Sequence, residues 1–311
     1  MSNKLISCVV VSRNRKEDLI DCIKSLKKSN YRNLEIIVLD NGSDRPISVW
    51  FKKRFSAVTL ITSQNNLGAA GGRNLALKST QGDFILFMDD DAIADQKMIS
   101  SLVKVLEDKK SAGIVQPIIY DKDRTGFLEG AGHDISLTTG RIKAWGAKEI
   151  DLGQYNFLRE IPLAGCIWMV KRKIIEKIGG YDERYFIPYE DSDFSFRARK
   201  AGFKIFCVPD AKAWHTGRKT KFANFLVEWI GITSVERAFR ISRNKLIYMS
   251  KHAPNENFLV FLFFFQPIYL MVHSIIIILS LRFDVLVKYW QGVLEGLYLA
   301  LLIRTNLYGS K

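Results

Sequence analysis

Between residues 5 and 117 the chain alternates uninterrupted apolar runs with amphipathic stretches, a pattern that few folds accommodate. LISCVVVS (5–12), LEIIVLD (34–40), VTLIT (58–62), DFILFMD (83–89) and AGIVQP (112–117) read as buried strands. Residues 15–29, 47–55, 68–79 and 95–109 read as the helices between them. Strands that lack a polar face need cover on both sides. The expectation is therefore an α/β fold, a mostly parallel sheet flanked by helices. Ligands of such sheets bind beyond the carboxyl ends of the strands. The polar punctuation falls there, with SRNR after the first strand, DNGSD after the second and DDD after the fourth, so the three form one rim.

Residues 118–160 carry scattered glycines and read as loops and short strands. Order returns with AGCIWMV (164–170) as a strand and 173–178 as a short helix closed by Gly179 and Gly180. A helix over 191–200 stopped by Gly202 and a last strand FKIFCVP (203–209) follow. An amphipathic helix with Arg237, Arg240, Arg243 and Lys245 is expected over 224–250, and an apolar one over 285–303. Between them, residues 258–281 contain no charged side chain and would span roughly 36 Å as a helix, enough to cross a bilayer. The other reading of this segment is a buried core helix. The formal charge of +14 suits a polyanionic partner, whether nucleic acid, an anionic membrane surface or a phosphate-bearing substrate. Cys8, Cys22, Cys166 and Cys207 form no CxxC pair and read as packed, reduced thiols of a cytosolic compartment.

The rim holds the candidate chemistry. Asp89, Asp90 and Asp91 end an apolar strand, and three adjacent carboxylates repel one another unless solvated or neutralised. Residues i and i+2 of an extended segment point the same way, so Asp89 and Asp91 can share Mg²⁺ or Mn²⁺ while Asp90 turns aside. Alternatively the three are solvated acids ahead of a helix. Asp40, before Asn41, Gly42 and Ser43, can accept from a base or ribose, or only close a strand-to-helix turn. Gly68, Gly71 and Gly72 with Arg73 open a helix where an anion can approach, although the spacing is not GxGxxG. Glu190 and Asp191 follow an aromatic loop and can supply a general base, or Asp191 can cap a helix. His215 can complete a metal shell or be structural. Arg218, Lys219 and Lys221 can meet phosphate or water.

Taken in order, SRNR, DNGS, NLGAAGGRN, FMDDDA, GCIWMVKR, YEDSDFSFRARKAGFK and AWH resemble the family-2 inverting glycosyltransferases, across residues 5–217. Within them the chain looks most like rhamnosyltransferases and galactofuranosyltransferases that build cell-surface polysaccharide on lipid carriers. The resemblance implies a GT-A Rossmann-like catalytic region over 1–220, with a nucleotide half (1–117) and an acceptor half (118–220). Residues 221–311 would be a helical membrane-association region. It implies that Ser12, Arg13 and Asp40 hold the nucleotide, and that Asn65, Gly68 and Arg73 line the nucleotide or diphosphate side. Asp89 and Asp91 would match the Asp-x-Asp motif that binds ribose and metal, with Asp90 between them also at the donor. His215 would be a third metal ligand, Trp168 would lie at the sugar or acceptor site, and Asp191 would be the base. The implied cofactor is Mn²⁺ or Mg²⁺. The implied partners are a UDP- or dTDP-sugar, a lipid-linked or glycan acceptor and a membrane surface, with no nucleic acid; the oligomeric state stays open. A catalytic part at the cytoplasmic face of the membrane follows from such a donor. No QxxRW-type motif follows the base, which argues against processive synthesis. A Mg²⁺-dependent phosphohydrolase is the competing enzyme, but Ala92 and Ile93 depart from its Asp-x-Asp-x-Thr or Val pattern. A basic membrane-surface scaffold is the non-enzymatic alternative.

Overall fold

Four parallel strands form one half of the central sheet of the first unit. They are β1 (Ile6–Ser12), β2 (Leu34–Asn41), β3 (Thr59–Ser63) and β4 (Phe84–Asp89), in the order β4-β1-β2-β3. β1 and β4 are central and almost wholly buried, as their unbroken apolar sequences demand. The helices α1 (Lys16–Lys27), α2 (Ser48–Arg54), α3 (Gly68–Leu77) and α4 (Met98–Asp108) connect or follow these strands. α3 lies close against β1 and β2: a Cβ on Gly72 would sit 2.8 Å from Val11 Cγ1. The computed structural model describes residues 3–216 and 225–305, so Arg218, Lys219 and Lys221 lie outside the described residues.

The other half of the sheet is mixed. β6 (Ala112–Asp121) and β11 (Ile167–Lys171) pair antiparallel, β11 also pairs antiparallel with β4, and β12 (Lys204–His215) runs parallel to β6. Both β6 and β12 continue past the prolines at which the sequence ends them. The register shifts between Val208 and Lys212, and this irregularity accommodates Pro209, which has no N–H to donate. The extension of β12 matters to the site. Its end pairs antiparallel with β5 (Ala92–Ala94), setting His215 opposite Ala92. Likewise β7 (Leu128–Gly130) pairs with β6. β10 (Arg159–Glu160) borders β12, α5 (Arg172–Ile178) follows β11, and α6 (Glu190–Lys200) precedes β12. A separate hairpin is formed by β8 (His133–Ile135) and β9 (Ile142–Ala144).

The chain divides into two units, residues 1–134 with 144–217, and residues 135–143 with 218–311. In the second, the amphipathic helix expected over 224–250 is broken into α7 (Phe225–Trp229) and α8 (Val235–His252). Gly231 takes a positive φ of 77°, and the Ser234 hydroxyl caps α8 by accepting from Arg237 N at 3.1 Å. α9 (Asn255–Val260) runs through a π turn (Phe261–Phe265) into α10 (Gln266–Leu279). The π turn precedes Pro267, whose missing N–H and ring obstruct the regular ladder. The chain does not double back at Gln266 and Pro267. It turns after α10, and α11 (Phe283–Arg304) returns beside it, with Trp290 Nε1 donating to Ser274 Oγ at 3.1 Å. Asn255–Leu279 and Phe283–Arg304 are each long and apolar enough to cross a membrane. α11 packs on α8 through Gly292 and Gly296.

Candidate active site

The carboxyl ends of β1, β2 and β4 lie side by side: Ser12 is opposite Asp40, and Val11 is opposite Asp89. Asp89 is the last residue of β4, and Asp90 and Asp91 form the turn that leads to β5, so the alternation expected of an extended segment is not kept. Asp90 is buried and turns toward Arg15, whose Nη1 lies 3.1 Å from Asp90 Oδ1, and toward the Ser12 hydroxyl. Burial pushes the Asp90 carboxyl up to about 7, against the pull of Arg15. Asp91 shares the Arg15 nitrogen with Asp90 and reaches on to His215. Its Oδ2 is 2.6 Å from Arg15 Nη1 and its Oδ1 is 3.0 Å from His215 Nε2. Burial would raise Asp91, but His215 and Arg15 outweigh it and hold the carboxyl below its ordinary value.

Arg73 is the hub of the acids. It is 4% exposed. Its Nη2 lies 2.8 Å from Asp89 Oδ1, and its Nη1 lies 2.6 Å from Asp191 Oδ1 and 3.3 Å from Glu190 Oε1. Burial works against the guanidinium charge, and the surrounding carboxylates, Asp191 foremost, more than restore it. Trp168 Nε1 also donates to Asp191 Oδ1, at 3.2 Å, and the Cys166 amide donates to Oδ2, at 3.2 Å. Asp191 is therefore held at both oxygens. It lies inside the first turn of α6, which starts at Glu190 with no side-chain cap, so its carboxylate serves the pocket rather than the helix end. Glu190 is buried beside it, and burial, reinforced by the Asp191 charge, raises its pKa despite Arg73.

His215 closes the cluster. Its Nδ1 is 2.7 Å from Glu129 Oε2, and its Nε2 faces Asp91 at 3.0 Å and Asp89 Oδ2 at 3.7 Å. Burial disfavours the imidazolium, but Asp91 and Glu129 overcome it and push the ring up to about 11. A carboxylate on the far nitrogen of a histidine is the arrangement that orients a metal-binding imidazole. The donor set fits a divalent ion on a further observation. Asp91 Oδ1 is buried and, although close to Nε2, receives no directed hydrogen bond. Asp89 Oδ2, Asp91 Oδ1 and His215 Nε2 can hold Mn²⁺ or Mg²⁺, with a proton leaving the ring.

The remaining expected residues are distributed unevenly. Arg13 donates from Nε to the Gly42 carbonyl at 3.0 Å and pairs with Asp44 at 3.3 Å, fastening the first rim loop to the second. Asp40 is buried, and its oxygens accept from the Ser43 and Ile47 amides, each at 3.2 Å, so the turn already uses both. Asn65 is exposed, and its backbone pairs with the Ser63 hydroxyl. The start of α3 is not left open for an anion. The Phe186 carbonyl accepts from Ala69 and Ala70, and a Cβ on Gly68 (φ +71°) would lie 2.4 Å from the Phe186 ring. Arg73 is turned inward to the acids instead of outward along the rim. The Trp168 ring is fully buried against Phe87, Tyr181 and Phe194, so only its N–H reaches the site and no ring face meets a sugar.

Four site residues carry no advance signal of this kind. Arg15 lies two residues from Arg13 in SRNR, and only its contacts with Asp90 and Asp91 distinguish it. Glu129 lies among the glycines of a segment without regular pattern. Cys166 reads as a packed thiol, yet its Sγ comes within 4.8 Å of ligand atoms of Asp89 and His215. His133 Nε2 is 2.9 Å from the Ser192 hydroxyl, and burial, partly opposed by Asp191, pushes it down to about 4. It is a neutral imidazole beside the carboxylate held by Arg73.

A mixed, half-parallel sheet with an acid-lined rim at its carboxyl edge is the architecture of GT-A glycosyltransferases. Residues 7–179 match Glycosyl transferase family 2, and the chain belongs to that family of enzymes. It is 24% identical over 243 residues to the amylovoran biosynthesis glycosyltransferase AmsB of Erwinia amylovora, covering 73% of this chain and 78% of AmsB. It is 22% identical to the dTDP-rhamnosyl transferase RfbF of Shigella flexneri, covering 96% of each. Over a shorter stretch, 34% of this chain and 43% of the relative, it is 32% identical to the UDP-Glc:alpha-D-GlcNAc-diphosphoundecaprenol beta-1,3-glucosyltransferase WfaP of Escherichia coli. Two solved structures share the fold. GalNAc-T7 with UDP, GalNAc and Mn²⁺ superposes with a TM-score of 0.59 at 15% identity, over 78% of this chain and 51% of that one. The mannosyltransferase PcManGT of Pyrobaculum calidifontis with GDP-Man and Mn²⁺ gives a TM-score of 0.53 at 15% identity, over 98% and 88%.

Proposed function

We propose that this glycosyltransferase is metal-dependent and inverting, and that it moves a sugar from a UDP- or dTDP-sugar to a hydroxyl of a lipid-linked glycan. The carrying observation is the shared centre: Arg73 joins Asp89 to Asp191, and His215 faces both Asp89 and Asp91. Asp191 is the base. Its oxygens are fixed by Arg73, Trp168 and the Cys166 amide, so the carboxylate presents one orientation to the acceptor. The acceptor oxygen bonds to the anomeric carbon as its proton passes to Asp191. The bond to the diphosphate breaks on the opposite face, which inverts the centre. Asp89, Asp91 and His215 would hold Mn²⁺ or Mg²⁺, which when bound would supply charge stabilisation to the leaving diphosphate. Glu190 lies 3.3 Å from Arg73 and braces it, while Asp191, held at both oxygens, takes the role of base.

The names of RfbF and WfaP support a dTDP- or UDP-sugar as donor, and that of WfaP a diphosphate-linked lipid acceptor. The apolar spans and the basic helix α8 fit a protein that works at the cytoplasmic face of a membrane in polysaccharide synthesis. Asp191→Asn tests the assignment. Asn keeps an oxygen for Arg73 and Trp168 but cannot take a proton, so transfer falls by roughly 10²–10⁴. Calorimetry with UDP or dTDP and Mn²⁺ should show donor binding retained, and full transfer by the variant would refute the role.

A further inference from the structure

We infer that Cys166 is a soft ligand of the same centre, so that a thiophilic ion, Zn²⁺ above all, is captured there in a closed shell. The inference rests on the metal-dependent reading above. Cys166 Sγ, a carboxylate oxygen of Asp89 and a ring nitrogen of His215 all lie within 4.8 Å of one another. A tetrahedral ion with Zn–N and Zn–S bonds of ~2.0–2.3 Å sets its ligand atoms roughly 3.5 Å apart, so small side-chain rotations close the gap. The thiol is also firmly placed. Cys166 is held in left-handed backbone at φ +63°, and its amide is tied to Asp191 Oδ2. Asp91 stands beside this trio: it is 9% exposed, and its Oδ1 lies 3.0 Å from the His215 Nε2 that would turn to the ion.

Two carboxylates and an imidazole suit a hard ion that leaves positions open to diphosphate oxygens. A thiolate changes the preference, because sulfur favours Zn²⁺ on softness and the N/O/S affinity order already places Zn²⁺ above Mn²⁺. Asp89, His215 and Cys166 give three ligands, and Asp91, whose Oδ1 is 3.0 Å from His215 Nε2, rotates in as the fourth; the four-coordinate Zn²⁺ then has no free position, the condition of structural rather than catalytic zinc. On binding, the Cys166 S–H bond breaks, the sulfur lone pair goes to the ion and the proton goes to solvent. Zn²⁺ therefore inhibits by filling the site that a hard ion leaves open.

The test uses the full chain after chelation, with Co²⁺ titrated in as a spectroscopic stand-in for Zn²⁺. A near-ultraviolet thiolate-to-cobalt charge-transfer band is expected in the parent protein and lost in both Cys166→Ser and Cys166→Gly. The glycine variant removes the thiol while suiting the positive φ, so folding is preserved. In competition followed by Mn²⁺ electron paramagnetic resonance, the preference for Zn²⁺ over Mn²⁺ should fall on the order of tenfold or more in both variants. If the parent binds Mn²⁺ but its Co²⁺ complex lacks the band, or the band persists in the variants, the thiol is no ligand and the inference is overturned while the transferase reading stands. Failure to bind Mn²⁺ at all would overturn both.

Discussion

Arg73→Met removes one charge from the centre of the first unit and leaves the carboxyl groups of Asp89, Glu190 and Asp191 facing one another. Met preserves most of the apolar contact of the Arg stem, so the loss is electrostatic. Arg73 is 4% exposed, with Asp89, Glu190 and Asp191 all within 3.3 Å of its guanidinium. Removing one partner of a buried ion pair costs about 3–5 kcal/mol, because the remaining charge is uncompensated. Asp89, with its side chain 35% exposed, can recover some hydration, which favours the lower end, about 3 kcal/mol. The loss also depends on pH. Burial and the neighbouring charge already raise Glu190, and loss of Arg73 raises it further. An acid raised in the folded state contributes stability that is fully present below its unfolded value and is lost as pH climbs through the folded value. Glu190 already sits at about 8, so the variant's deficit should grow as pH passes that value and be larger at pH 9 than at pH 5, by up to about 1.4 kcal/mol. Urea unfolding in mild detergent, followed by the fluorescence of buried tryptophan, measures both values. A deficit below about 1 kcal/mol at pH 9, or one equal at the two pH values, would show that Arg73 does not neutralise this cluster.

Glu129→Gln removes the charge behind His215 but keeps a hydrogen-bond acceptor at Nδ1, and Mn²⁺ affinity measured by calorimetry should fall about 10–100-fold. Unchanged affinity would mean that His215 is not a metal ligand. Gly292→Ala should separate α11 from α8, because a Cβ there would lie 2.1 Å from the Phe239 carbonyl and 2.2 Å from the Ser242 hydroxyl. A loss of about 1–3 kcal/mol on thermal unfolding in detergent is expected, and an unshifted midpoint would contradict the helix contact.

Much of the fold was legible because short-range patterns encode it. Apolar runs without a polar face led to β1, β2 and β4 and to their common rim, and the charge-free stretch led to α9 and α10; β3 forms where expected but as a partly exposed edge strand, not a buried one. The boundaries that failed did so where tertiary pairing overrode a local stop, as at Pro117 and Pro209, which β6 and β12 pass through. The period of an extended chain did not decide the DDD run: Asp90 and Asp91 lie in a turn and both meet Arg15, and it is His215, carried in on β12, that faces Asp89 and Asp91.

Which charge meets which was decided only in three dimensions. Arg73 and Asp191 are 118 positions apart, and His215 and Glu129 are 86 apart. No periodicity links such residues, since a charge leaves no pattern in sequence that names its partner. The pairing of β12 with β5 carries His215 to Asp91, and the turn after Gly165 aims the Cys166 amide at Asp191. The same packing buries the Trp168 ring, fills the start of α3 with Phe186 and spends both oxygens of Asp40 on backbone amides. From the sequence alone came an acid rim on a parallel sheet and an apolar carboxyl-terminal region. The folded chain then gathered those acids around Arg15, Arg73 and His215, because burying like charges together is tolerable only where opposite charge is packed among them.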